Sequence, residues 1–156
     1  MSLLVKTPAM ASIDLWSAYE PQVVLSSSTE DIDLPSITIA GLPAGASIVR
    51  AVMIFKYRTI ENTSDGDNSV SGGQNIQAQK AIDGSWVTGI ALNGDECFVP
   101  ATTRETGDVM MGTNDISGQI PENGAEMNFQ WTQAQASDDE LNLNDVQVGL
   151  RIWFVV

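Results

Sequence analysis

Over residues 125–132 the side chains alternate with a period of two. Ala125, Met127, Phe129 and Trp131 fall on one side, and Glu126, Asn128, Gln130 and Thr132 on the other. An extended chain, whose successive side chains point to opposite faces, turns such a pattern into one apolar and one polar surface. Residues 145–156 follow the same rule: Val146, Val148, Leu150, Ile152, Phe154 and Val156 face one way, and Asp145, Gln147, Gly149, Arg151, Trp153 and Val155 the other. The second set turns apolar at Trp153 and Val155, and a strand apolar on both faces is central in its sheet or covered by a neighbour.

Residues 47–60 carry the longest such signal. One face reads Val49, Ala51, Met53, Phe55 and Tyr57, a core face; the other reads Ile48, Arg50, Val52, Ile54, Lys56 and Arg58, half apolar and half basic. That second face is either a solvated surface with long stems lying over Val52 and Ile54, or a surface that meets a partner. Shorter strand signals lie at residues 23–25, 37–40, 75–82, 86–92 and 97–99 and around Val109. The compact turn 41–45 sets φ with Pro43 and accepts a positive φ at Gly45. Asp83-Gly84 and Asn93-Gly94 mark two closely spaced turns, which predict a meander. Residues 13–19 read equally as a helical turn or a first strand.

No segment carries a strong amphipathic helix pattern. The expected fold is therefore all-β: an antiparallel β-sandwich of jelly-roll type, with about seven to nine strands and little helix. Residues 1–20 read as an N-terminal arm, of which 1–11 is a plain segment able to order on docking, and 21–156 as a single sandwich domain.

Charge narrows the function. Seven Lys and Arg against twenty Asp and Glu give −13 at pH 7, which repels nucleic-acid phosphate and anionic lipid and favours a basic partner. There is no apolar run of membrane-spanning length, and the first residues lack a secretory pattern. Cys97 is the only cysteine, so an intramolecular disulfide is excluded and the fold does not rely on an oxidising compartment. Histidine is absent, so catalysis would rest on carboxylates or hydroxyls.

The motifs are sparse. Asp65-Gly66-Asp67-Asn68 is oxygen-rich like a calcium loop but lacks the remaining spaced ligands, so it reads as a solvated turn, and no metal or cofactor is expected. Phosphate-binding loops, zinc spacings and nucleophile elbows are missing. Two alternatives to a structural role stand open. Trp16, Trp86, Trp131 and Trp153 would serve a glycan- or receptor-binding module, although Trp131 belongs to a core face. A carboxylate-only glycoside hydrolase would need two acids a set distance apart in a cleft.

Residues 41–51, Lys56-Tyr57-Arg58 and residues 145–154 together resemble the small β-sandwich structural proteins of tailed bacteriophages, which decorate or cement the capsid or serve as minor head components. The resemblance runs from about Leu34 to the C-terminus, in texture and strand order, and maps no catalytic residue. It implies a non-enzymatic virion protein assembled in the host cytoplasm, a homo-oligomer, often a trimer, that also contacts a capsid protein. The expected contact residues are Arg50, Lys56, Arg58, Trp153 and Val155, together with the arm.

Overall fold

In the computed structural model of this chain the described residues are 8–25, 31–57, 59–62, 74–79, 84–92, 108–132 and 141–156. They form ten strand segments: β1 (Met10–Trp16), β2 (Glu20–Leu25), β3 (Ile32–Thr38), β4 (Ser47–Tyr57), β5 (Thr59–Asn62), β6 (Gln74–Gln79), β7 (Trp86–Leu92), β8 (Asp108–Met111), β9 (Glu126–Thr132) and β10 (Leu141–Val155). One three-residue 3-10 turn, Ser117–Gln119, is the only helical element among the described residues.

Two pairs of segments act as single interrupted strands. β1 and β2 both run antiparallel along the same edge of β10, with Trp16 opposite Gly149 and Glu20 opposite Val146. Three residues, 17–19, therefore oppose two, a bulge held by the Ser17 side chain. The Ser17 amide donates to Val148 O at 2.9 Å, the Val148 amide donates to Ser17 Oγ at 3.0 Å, and Gln147 Nε2 donates to Ser17 O at 2.9 Å. β4 and β5 lie along the other edge of β10, with Lys56 opposite Gln147 and Thr59 opposite Asn144 in the same register.

Counted this way, eight strands make two antiparallel sheets. The first is ordered β1/β2, β10, β4/β5, β8, and the second β3, β9, β6, β7. That order is a jelly roll: β8, β9 and β10 each cross to the other sheet and come back beside strands laid down earlier, β8 beside β4, β9 between β3 and β6, and β10 between β1 and β4. β10 is central, which is why it tolerates apolar side chains on both faces.

The core lies between the sheets, where Ala51, Met53, Phe55 and Tyr57 of β4 and Val146, Val148, Leu150 and Ile152 of β10 meet Met127, Phe129 and Trp131 of β9. Trp131 is fully buried, and its ring meets Phe55 edge-on at 5.7 Å between centroids. Each large side chain so buried contributes about 1.5–3 kcal/mol. Turn 41–45 forms as its residues predict, with Gly45 at φ +79° and the Ala46 amide donating to Pro43 O at 3.1 Å.

The structure differs from the sequence reading in these respects. Val49 was expected in the core and is 51% exposed. Arg50 pairs with Trp153 and Ile48 with Phe154, so Val49 is the extra residue of a bulge, and Ile48 packs against the core instead. Residues 10–16 are a strand of the sheet, so the domain boundary expected at residue 21 falls inside the folded unit; β1 is what completes the second edge of the apolar C-terminal strand. Of the expected meander, the β6–β7 hairpin forms, and β8 pairs with β4 in the other sheet; the Asn93-Gly94 turn and the strand expected at 97–99 lie outside the described residues. The strand expected at 37–40 begins earlier, at Ile32.

Candidate interaction surface

The outward side of the β10 sheet gathers side chains in rows across the strands. One row runs Trp16, Gly149, Ile54, Met111; the next runs Asp14, Arg151, Val52; the next Ser12, Trp153, Arg50; and on the other flank lie Gln147, Lys56 and Val109. These residues alternate with the core-facing set, so they point away from the core.

Gly149 shapes this face. A Cβ there would stand 2.7 Å from Trp16 Cζ3 and 2.8 Å from Cε3, so the bare backbone of β10 is the seat of the indole. Ile54, the cross-strand neighbour of Gly149, is only 2% exposed although it points outward, and Val52 beside Arg151 is equally hidden. Around this small patch Trp16, Tyr19, Val109 and Met111 stay between 42% and 59% exposed.

Basic groups interleave with the rings. The Arg50 guanidinium lies 5.6 Å from the Trp153 ring centroid, and the Lys56 ammonium lies 5.6 Å from that of Tyr19 while donating to its hydroxyl at 3.1 Å. Arg151 forms an ion pair with Asp14. The hydrogen bond from Arg151 holds the Asp14 carboxyl below its usual range against a smaller opposing desolvation, and the attraction of the two charges adds to it. The same contacts raise Arg151.

Arg50, Lys56 and Trp153 of the expected contact set thus share one face, and Val155 sits on the same side of β10 beside Met10. Arg58 lies outside the described residues, as do Asp65, Asp67, Cys97 and residues 1–7. Sequence reasoning left Trp16, Tyr19, Val109, Met111 and Arg151 out of the contact set. The period-two spacing of Val109 and Met111 was a usable signal; that of Trp16 was masked by the undecided reading of residues 13–19.

Past Met111 the outer edge of β4 is finished by the chain that follows β8. The Gly112 amide donates to Met53 O at 2.9 Å and the Ile116 amide to Ala51 O at 2.8 Å. Asp115 Oδ1 accepts from the amides of Ala51, at 3.2 Å, and Ser117, at 2.9 Å. The Ser117 amide chiefly holds the Asp115 carboxyl below its usual range; desolvation opposes this, and the Ala51 amide, the Ser117 hydroxyl and the charge of Arg50 assist.

The outward side of the second sheet has a different character. Asp33, Ser36 and Thr38 of β3, Glu126, Asn128, Gln130 and Thr132 of β9, and Gln77 and Gln79 of β6 form a polar, partly acidic surface. Gln130 Nε2 donates to Gln77 Oε1 at 2.8 Å, as does the Thr132 hydroxyl at 3.0 Å.

Among the described residues no group of three potential metal ligands converges, and no helix is long and apolar enough to cross a membrane. The fold and this surface define a jelly-roll β-sandwich with one aromatic and basic sheet face. Comparisons with protein-family models, with curated proteins and with solved structures return no match for the chain.

Proposed function

We propose that this chain is a non-enzymatic virion structural protein, a capsid decoration, cement or minor head component of the tailed-phage kind, that acts by assembling with copies of itself on a shell. The observation that carries the reading is the outward face of the β10 sheet. It combines Trp16, Tyr19, Trp153, Met111, Arg50 and Arg151, the residue types enriched at the centres of protein interfaces.

A sister copy supplies the matching charge. All the described Lys and Arg residues (Arg50, Lys56 and Arg151) lie on this one face, while the chain as a whole carries −13. The face therefore fits an acidic part of the next copy better than it fits itself. Such a head-to-tail contact closes into a ring when its rotation permits, as in a trimer. Many copies on a lattice turn modest contacts into firm retention.

The test is the mass of the native protein by analytical ultracentrifugation, with detection of the protein in purified particles from the source that carries the gene. A regular oligomer and its presence in the particle support the reading. A monomer at every concentration, absent from particles, overturns it.

A further inference from the structure

We infer that the second sheet carries a binding groove for a neutral carbohydrate, on the side of the molecule opposite the assembly face and independent of it. A cleft of about 380 Å³ opens there, lined by Asp33, Leu34, Ser36, Gln79, Trp86, Asn128 and Phe129. Gln79 of β6 pairs with Trp86 of β7, and Ala78 pairs with Phe129, which brings Asn128 of β9 opposite Gln79. On the far side of β9 the β3 register slips between Leu34 and Ile37, so Ser36 is delivered to the same row. Ser36, Asn128, Gln79 and Trp86 therefore form a line across four strands, with Asp33 in the next row.

The polar members are held in place by one another. Asn128 Nδ2 donates to Gln79 Oε1 at 3.0 Å, Gln79 Nε2 donates to Gly84 O at 3.1 Å, and the Ser36 hydroxyl donates to Glu126. This fixes the side chains before any ligand arrives, which lowers the entropy cost of binding. It leaves Asn128 Oδ1 and both Asp33 oxygens without a donor among the described residues, and Trp86 partly buried at the end of the row, where it lines the cleft.

A sugar ring has the complementary chemistry. Its C–H face packs on an indole, and its adjacent hydroxyls donate as a pair to a carboxylate and singly to an amide oxygen. An anionic sugar is disfavoured by Asp33 and Glu126 and by the net charge of −13. An apolar ligand would strand the row of amides and the carboxylate without partners.

The experiment titrates the full-length protein with neutral hexasaccharides of glucose, mannose, galactose and N-acetylglucosamine, with an oligogalacturonide as the anionic control. Binding is read from indole and amide NMR shifts. At least one neutral sugar is expected to shift the Trp86 indole signal and to bind better than the uronide. Trp86→Ala and Asp33→Asn are each expected to weaken it about tenfold or more with the β circular dichroism unchanged. The inference is overturned if none of the neutral sugars binds, if binding survives Trp86→Ala in a folded variant, or if the uronide binds best. A monomer that binds sugar would remove the assembly reading and leave this one standing.

Discussion

Arg151 grips Asp14 across the β1–β10 pair with two parallel hydrogen bonds, Nε to Oδ1 at 2.7 Å and a terminal guanidinium nitrogen to Oδ2 at 2.6 Å. The folded Asp14 carboxyl titrates below its unfolded value of about 3.9. Its contribution to stability is therefore complete above that value and disappears as pH falls through the folded pKa. Urea midpoints are expected to hold between neutral pH and about pH 5 and to fall below about pH 4. Asp14→Asn should remove part of the acid dependence, and only a small part, because both side chains are more than a third exposed to screening solvent. An unchanged acid limb in the variant would show that the pair contributes nothing.

Gly149→Ala places a methyl group where the Trp16 ring now lies. Overpacking of this kind costs about 1–3 kcal/mol, measured by chemical unfolding. The cost should shrink when Trp16 is also replaced by Ala, since the clash then has no second party. Equal costs in the two backgrounds would place the strain elsewhere.

Asp115→Ala leaves the amide of Ala51, a fully buried residue, without the carboxylate that accepts its hydrogen bond. The expected loss is about 1–3 kcal/mol. Asp115→Asn should recover much of it, because an amide oxygen can accept the same bonds. The folded Asp115 pKa is also depressed, so this contribution is likewise lost on acidification.

Trp131→Ala should destabilise the protein by about 3–5 kcal/mol, as it removes the largest fully buried side chain and its contact with Phe55. Thermal and urea unfolding should agree. A loss below about 1 kcal/mol would mean that the sandwich repacks freely.

Arg50→Glu reverses a charge on the face proposed for assembly and removes the cation from the Trp153 ring. Sedimentation should show weaker self-association than in the wild type, and a larger deficit at low salt than at high, because screening weakens exposed charge contacts. Identical association at every ionic strength would place Arg50 in open solvent.

The core was legible because burial in a sandwich follows the two-residue period. Met53, Phe55, Met127, Phe129, Trp131, Val148 and Ile152 all face inward as their spacing predicts. Val49 breaks the rule because one extra residue in a bulge reverses every orientation beyond it, and the choice of bulge belongs to the partner strand. The amide row of the second sheet was invisible for a related reason: Ser36, Gln79, Trp86 and Asn128 come from four separate strands, and only their register brings them together.

By itself the sequence determined an all-β sandwich, which faces of its long strands are apolar, and a chain too acidic to favour nucleic acid. Those properties are local or additive: side-chain direction follows from the extended backbone, and charge from composition. Only the tertiary structure decided that β1 flanks β10, that Gly149 seats Trp16 and that Arg151 joins Arg50 and Lys56 on one face. Each of these depends on which distant strands pair and in what register, a choice made by the packing of the whole core.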